Sequence, residues 1–117
     1  MSAPLREEID QMHAHLCGAM ADPNRILMLY ALSTAPYNVS ELAKELGLSQ
    51  PTVSRQLKVL REGGLVSSRR EGHSVIYQLR DKRVIEALDT LRSVLASTLQ
   101  QQGELALTAI EDRPAST

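Results

Sequence analysis

Residues 38–60, NVSELAKELGLSQPTVSRQLKVL, carry the most regular pattern in this chain of 117 residues. Asn38, followed three residues later by Glu41, is a capping box, which predicts that a helix begins here. Gly47 suits the left-handed conformation that ends many helices. Ser49 is a good N-cap for another helix, which tolerates the next-but-one proline in its first turn. The stretch therefore predicts two short helices joined by only three residues.

Two short helices with so brief a connection are typical of the helix-turn-helix motif, whose second helix lies in the major groove of DNA. The apolar positions Val53, Leu57 and Leu60 face a core, which an αα-hairpin without any DNA would also explain. The remaining positions carry hydroxyl, amide and basic groups that can hydrogen-bond to base edges or phosphates. We predict DNA contacts from Ser49, Gln50, Thr52, Ser54, Arg55, Gln56 and Lys58, with Gln56 and Lys58 nearer the backbone.

A β-hairpin is predicted directly after this motif. Leu65 to Arg70 and Ser74 to Leu79 are two strand-like segments separated by a turn that contains a glycine. Arg69 and Arg70 flank that turn, and we predict that they contact phosphates or the minor groove, together with His73. The fold class is therefore mainly α with a β-hairpin wing, a winged helix-turn-helix.

Amphipathic helices are predicted on both sides of this central part. The first carries Leu5, Ile9, Met12, Leu16 and Ala19 at spacings of three and four, and a second helix follows Asp22-Pro23. The last runs from about Asp81 to Gln101, with Val84, Leu88, Leu91, Leu95 and Leu99 in one seam. Beyond Gly103, the spacing of Leu105, Leu107 and Ile110 allows a further turn or two. The hairpin thus lies between the fourth and fifth of five helices.

The two terminal apolar stripes are too long for one small core. A chain of this size buries only part of its surface, and an uncovered stripe marks an interface. We expect a homodimer whose interface includes Leu5, Ile9, Met12, Leu88, Leu91 and Leu95. Residues 1–103 then form one DNA-binding and dimerisation domain, and residues 104–117 a C-terminal extension that is partly disordered.

Charge and composition narrow the class of partner. From Lys44 to Arg83 nine Lys or Arg face four Asp or Glu, a net charge of +5, while the rest of the chain carries −6. A basic segment inside an acidic protein fits double-stranded DNA, although a solvated face would look the same. No apolar run could span a membrane, and one cysteine favours a reducing cytoplasm. The absence of Trp and Phe argues against stacking on single strands.

These segments together resemble the ArsR/SmtB family of small dimeric winged-helix repressors in bacteria, over roughly residues 5 to 100. The resemblance rests on Ala21–Ile26, Glu41–Ala43, Leu48–Leu57, Leu60–Val66, Arg69–Gly72 and Tyr77–Leu79, in this order. It implies a homodimer built from the first and last helices. It also implies repression that is relieved by an inducer, often a metal ion.

The chain departs from the family at the metal-binding positions. The family's arsenic-type thiolates are replaced here by Asn38, Ser40 and Ala43. The zinc-type ligands on the last helix correspond to Asp81, Arg83, Val94 and Ser97, of which only Asp81 could bind a metal. The resemblance therefore implies that arsenite and zinc do not act through these positions, and we predict no metal site and no certain cofactor.

His13 and Cys17 are the remaining candidates for an inducer site. They are four residues apart on one predicted helix face, and a histidine with a thiolate suits Zn²⁺. Two ligands are too few, so such a site would need His15 or groups from a second subunit. The alternative is that Cys17 is a small buried packing residue.

The sequence thus predicts a repressor that binds a palindromic operator as a homodimer and responds to an inducer, a metal or a thiol-reactive compound. The sequence contains neither a phosphate-binding glycine loop nor a clustered carboxylate pair, so nothing in it indicates an enzyme. The alternative is a winged-helix module that binds a protein instead of DNA. Such a module should expose apolar or aromatic anchors on its recognition face, whereas this face is polar and basic.

Overall fold

The computed structural model describes the backbone of residues 2–111 and the side chains of residues 2–103. Its elements are α1 (Ala3–Met12), a π-helical turn (His13–Cys17), α2 (Pro23–Thr34), α3 (Val39–Leu46), α4 (Gln50–Glu62), β1 (Val66–Glu71), β2 (Ser74–Leu79) and α5 (Arg83–Glu111). This is the predicted winged helix-turn-helix order. The chain divides into two compact units, Met1–Ile85 and Glu86–Thr117.

The last helix includes the further turns that the sequence allowed beyond Gly103. It begins at Arg83, two residues after the expected start, and continues ten residues past Gln101 to Glu111. The rest of the expected C-terminal extension, residues 112–117, lies outside the described residues. Over the part of the chain that the structure covers, no helix is both long and apolar enough to cross a membrane.

The predicted capping residues form the expected hydrogen bonds at the starts of α2 and α3. The Asp22 carboxylate accepts a hydrogen bond from the Asn24 N–H at 2.8 Å and so caps α2. In the capping box of α3, the Glu41 N–H donates to the Asn38 side chain at 2.8 Å, and the Asn38 N–H donates to the Glu41 carboxylate at 3.0 Å. These bonds satisfy N–H groups that have no partner inside the helix.

The N-terminal helix is not the single regular α-helix that its apolar spacing predicted. Its α-helical part ends at Met12, and His13–Cys17 form a π-helical turn. The Gly18 N–H donates to the carbonyl of His13, five residues earlier. A π-helical turn contains one residue more than an α-helical turn. Apolar residues spaced by three and four do not reveal this extra residue.

The core of the first unit is entirely aliphatic, as a chain without Phe or Trp requires. It lies where α2, α3, α4 and the hairpin meet. Each of these three helices contributes two or three side chains, and the hairpin contributes Val66, with Leu65 directly before it. The buried members are Ala19, Met28, Leu29, Leu32, Leu42, Ala43, Val53, Leu57, Leu60, Leu65 and Val66. Burying this much apolar surface is the main driving force that holds the three helices together.

The wing is a two-stranded antiparallel hairpin. Its register pairs Val66 with Leu79 and Glu71 with Ser74, which leaves a two-residue turn. Gly72, the first residue of that turn, has φ 60°, as a type II′ turn requires.

An additional bridge joins Tyr37 to Tyr77 through two backbone hydrogen bonds of 3.0 and 2.8 Å. It ties the connection before α3 to the wing. The sequence did not predict it, because a single bridging residue has no periodic pattern.

Candidate nucleic-acid interface

The turn between α3 and α4 is held by local hydrogen bonds. Gly47 has φ 66° and donates its N–H to carbonyls of the last turn of α3. The Ser49 hydroxyl accepts from the Thr52 N–H at 3.3 Å and lies 2.8 Å from the Thr52 hydroxyl. The direction in which α4 leaves the turn is therefore set within the chain. The Ser49 hydroxyl was predicted to contact DNA, but it already has hydrogen-bond partners within the chain because it serves as the N-cap of α4.

One face of α4 is exposed and polar. The buried side chains of α4 follow one stripe, and the opposite face presents Gln50, Ser54, Arg55 and Lys58 to solvent. Arg55 also donates to the Thr52 hydroxyl at 3.4 Å. Four of the seven residues predicted to contact DNA on this helix and its cap thus lie together on an exposed surface. Amide, hydroxyl and guanidinium groups on one helix face are the set that reads base edges.

An open groove of about 470 Å³ lies between α4 and the wing. It is lined by Pro51, Ser54, Arg55, Lys58, Arg61 and Tyr77. Three cationic side chains converge there, so the groove suits a negatively charged, extended ligand such as a phosphate backbone.

Arg61 and Tyr77 were not among the predicted contacts. The signal for Arg61 was present, because it follows Lys58 by three residues on the same helix face. It also reaches the wing, since its guanidinium donates to the Ser68 hydroxyl at 3.4 Å. Tyr77 belongs to the site only because the hairpin folds back beside α4, which no local pattern reveals.

The wing separates its two arginines onto opposite sides of β1. The Arg69 side chain donates to the Gln78 amide oxygen at 2.8 Å and lies 3.7 Å from the Glu71 carboxylate. Arg70 and His73 are exposed near the tip of the hairpin. Arg70 is thus available to an external anion, whereas Arg69 already has two partners within the hairpin.

Two residues of α4 lie on the flank of the helix rather than on its exposed face. Thr52 and Gln56 are both half-buried. The Gln56 amide oxygen accepts from the Arg25 guanidinium at 2.7 Å, and its amide nitrogen donates to the Asp22 carboxylate at 3.3 Å. Both polar atoms of the Gln56 side chain therefore have partners inside the protein, although it was predicted to contact the DNA backbone.

Exposed apolar residues form two stripes, one in each unit. In α1 and the π-helical turn, Leu5, Ile9, Met12 and Leu16 are all exposed, Ile9 by 44%. In α5, Leu91 is 61% exposed and Leu95 is 55% exposed, whereas Leu88 is only 6% exposed. Leu88 therefore offers little surface to a partner, unlike the other predicted interface residues.

The candidate inducer residues do not form a metal site within one chain. His13 and Cys17 are the first and last residues of the π-helical turn, and both are exposed, so Cys17 is not the buried packing residue of the alternative interpretation. The His15 Nε2 atom donates a hydrogen bond to the Gln11 amide oxygen at 3.1 Å. Among the residues that the structure describes, no three His, Cys, Asp or Glu side chains are placed to hold a metal ion.

Asp81 is occupied by an internal partner. Its carboxylate accepts from the Arg83 guanidinium at 2.7 to 3.2 Å and from the Arg83 N–H at 2.9 Å. The Arg83 hydrogen bonds, with the positive charge, lower the pKa of Asp81 to about 2. The Arg83 guanidinium held against this carboxylate repels a metal cation.

Comparison with known proteins agrees with this geometry. Residues 22–68 match the family model described as bacterial regulatory protein, arsR family. Over 88 residues the chain is 41% identical to the HTH-type transcriptional regulator NmtR of Mycobacterium tuberculosis, which covers 75% of this chain and 73% of that protein. It is 31% identical to a biofilm growth-associated repressor of Xylella fastidiosa, again over 75% of this chain and 77% of that one.

A solved structure shares the architecture as well as the sequence pattern. It is the homodimeric winged helix-turn-helix DNA-binding domain of a possible ArsR-family regulator, Mb0332 of Mycobacterium bovis. The two chains superpose with a TM-score of 0.73 at 28% identity, covering 86% of this chain and 93% of that one. The exposed polar face of α4 thus belongs to a fold that is described elsewhere as a DNA-binding domain.

Proposed function

The chain belongs to the ArsR family of bacterial regulatory proteins, and we propose that it acts as a homodimer that binds a palindromic operator and releases it when an inducer binds. As a member of this family it is a DNA-binding transcriptional repressor, and the family consists of regulators rather than enzymes. The observation that carries the proposal is the groove beside α4, where three cationic side chains adjoin an exposed polar helix face.

The side chains divide into two roles by their position. On α4, the recognition helix, Gln50, Thr52, Ser54 and Arg55 lie toward the helix N-terminus, the end that approaches base edges in this motif. Phosphate contacts come from cations that flank the helix: Lys58, Arg61 and Arg70, with Arg69 and His73 beside them on the wing. Such contacts position the protein, while base contacts specify the sequence.

Exposed apolar stripes support a two-fold symmetric dimer. Each unit presents a row of large aliphatic side chains to solvent, and water-exposed rows of this kind mark interfaces. The Mycobacterium bovis relative is described as homodimeric. A two-fold axis would present two recognition helices to half-sites about 10–10.5 bp apart, or a multiple of that distance.

The competing function is a winged-helix module that binds a protein. An interface of that kind needs exposed aromatic or aliphatic anchors on the recognition face. Of the described residues, the exposed large hydrophobic side chains lie on α1, the π-helical turn, α2 and α5, and none lies on the recognition helix or the wing. The polar surface therefore favours DNA.

Binding to duplex DNA tests the proposal directly. The wild-type protein selects duplexes from a random-sequence library, and its affinity for a selected duplex and for a random one is then measured over a range of salt concentrations. Arg55→Ala is expected to weaken binding to the selected duplex by about 1–3 kcal/mol more than binding to the random one, because a base contact is lost. Arg70→Ala is expected to weaken both equally, because phosphates are alike in every sequence.

The matched control is Arg6→Gln, which removes the same charge from the exposed face of α1. It should change both affinities far less than Arg55→Ala or Arg70→Ala does. An absence of measurable duplex binding by the wild type at low salt would refute DNA recognition and leave the protein-binding module.

The chain lacks metal ligands at the positions where the family binds metal inducers, which limits the inducers that it can recognise. Asn38 and Ser40 have no thiolate to offer, and the Asp81 carboxylate is engaged by Arg83. We propose that arsenite and zinc do not act through these positions. Cys17 is the one thiol in the chain and is exposed, so a thiol-reactive inducer would act there, with His13 and the same pair of a second subunit as further groups.

A further inference from the structure

Arg25, which lies in the first turns of α2, joins three separate segments through one side chain. Its side chain is only 15% exposed. The Nε atom donates to the Ala19 carbonyl at 2.6 Å, and a terminal nitrogen lies 3.4 Å from the Gly18 carbonyl. These carbonyls follow the π-helical turn, so Arg25 holds the end of the N-terminal segment, defined here as residues 3–19. A planar guanidinium suits this task because its donors are fixed in one fork.

The same guanidinium also holds the recognition helix. Its other terminal nitrogen donates to the Gln56 amide oxygen at 2.7 Å. The Gln56 amide nitrogen donates in turn to Asp22, whose second oxygen caps α2. Because the oxygen faces a cation and the nitrogen faces a carboxylate, the Gln56 amide has a single satisfied orientation. We call Arg25, Gln56 and Asp22 the polar clamp.

A second junction lies at the end of the recognition helix. A Cβ atom on Gly63 would lie 2.7 Å from the Ala19 Cβ and 2.7 Å from the His15 carbonyl oxygen. The N-terminal segment therefore meets the recognition helix at two places, through the polar clamp near its middle and by direct approach at its end. Two attachments restrict both the position of a helix and its rotation about its own axis.

We propose that Arg25 and Gln56 are positioning residues for DNA binding, which hold the recognition helix against the N-terminal segment through the polar clamp. The inference rests on the proposed function, since it concerns the affinity of the recognition face for DNA. Gln56 then contributes through its bonds to Arg25 and Asp22, and makes no contact with the phosphate backbone. A rotation of the helix would displace its exposed face relative to the base edges. The affinity for DNA therefore depends on the polar clamp, although the clamp itself does not contact DNA.

An exchange of the two groups that face each other tests this. Gln56→Glu keeps the acceptor for Arg25 but places a carboxylate against the Asp22 carboxylate. Asp22→Asn, added to it, restores a donor and an acceptor to that pair, and asparagine still caps α2. The double variant has the same net charge as the wild type. The control, Gln56→Glu with Glu62→Gln, makes the same change of charge at an exposed residue of the same helix.

The probe is a duplex selected from a random library by the wild-type protein. Gln56→Glu is expected to weaken binding about tenfold, the effect of about 1.4 kcal/mol in a polar network. The exchange variant should return to within about threefold of the wild type, whereas the control variant should stay weak. Thermal unfolding of each variant, measured alongside, identifies any loss that comes from an unfolded domain.

Each result separates the inference from the proposed function. If Gln56 contacts DNA directly, the exchange variant will bind no better than the control variant, and the polar clamp is overturned as a positioning device. An unaltered affinity of the Gln56→Glu variant also overturns it. If the wild type itself binds no duplex, the proposed function fails instead.

Discussion

Gly63 shows how the space available at one residue limits the packing of the first unit. Its φ of −76° is accessible to any residue, so backbone freedom is not the reason for glycine here. The reason is space, because a Cβ would meet the Ala19 side chain and the His15 carbonyl at 2.7 Å. A backbone carbonyl cannot rotate away as a flexible side chain can. This close approach between the recognition helix and the N-terminal segment thus depends on two small residues, Gly63 and Ala19.

Gly63→Ala is expected to destabilise the protein by about 1–3 kcal/mol, because an added methyl group overpacks a contact that cannot relax. The measurement is the melting temperature by circular dichroism. The matched control is Gly103→Ala in α5, where a Cβ would meet nothing within 4 Å and alanine favours the helix. An unchanged melting temperature of the Gly63→Ala protein, with the control melting at or above the wild type, would contradict the close approach.

At the scale of the element, the start of α5 depends on Asp81. Its carboxylate accepts the Arg83 N–H, which the helix leaves without an intrahelical partner, and also binds the Arg83 guanidinium. The pKa of Asp81 is lowered to about 2 by these bonds. A carboxyl group whose pKa is lower in the folded protein stabilises it above the unfolded pKa near 3.8, and loses that effect as the pH falls through about 2.

An NMR titration of the carboxyl carbons should therefore place the Asp81 midpoint near pH 2, with the Arg83 N–H signal shifting in the same range. Replacing the guanidinium, as in Arg83→Gln, should raise that midpoint toward 3.8, since the largest cause of the shift is removed. A midpoint near 3.8 in the unaltered protein would show that this hydrogen-bonded pair does not persist in solution.

At the scale of the whole molecule, the proposed dimer places the exposed apolar stripe of α5 in its interface. Leu91→Glu and Leu95→Glu are expected to weaken dimerisation and DNA binding together, because each places a charge in an interface that excludes water. Sedimentation equilibrium measures the first effect and duplex binding the second. DNA binding weakens as well because a monomer contacts only one half-site of the operator.

Ser93→Glu provides the control for the dimer. It adds the same charge to the opposite face of α5, at a position that the apolar seam does not include. It should leave both measurements close to those of the wild type. A wild-type protein that sediments as a monomer while binding DNA tightly would contradict the proposed dimer.

The element order followed from local signals in the sequence. Asn38 with Glu41, Gly47, and Ser49 each satisfy or end the backbone bonds of a neighbouring helix, so their effect is complete within a few residues. Alternating apolar residues likewise marked β2, and an aliphatic core followed from the absence of Phe and Trp. For the same reason, the exposed part of the recognition face was predictable as the side opposite Val53, Leu57 and Leu60.

Only the tertiary structure decided which polar groups meet. Gln56 looks like its neighbours Arg55 and Lys58 in the sequence, yet it is turned toward Arg25, 31 residues away. Tyr77 joins the groove because the hairpin folds back beside α4. The π-helical turn at His13–Cys17 interrupts a helix whose apolar spacing is regular in the sequence. Periodicity reports which side of an element is apolar. The partner of a half-buried polar side chain depends on segments far apart in the chain, which only the packed fold brings together.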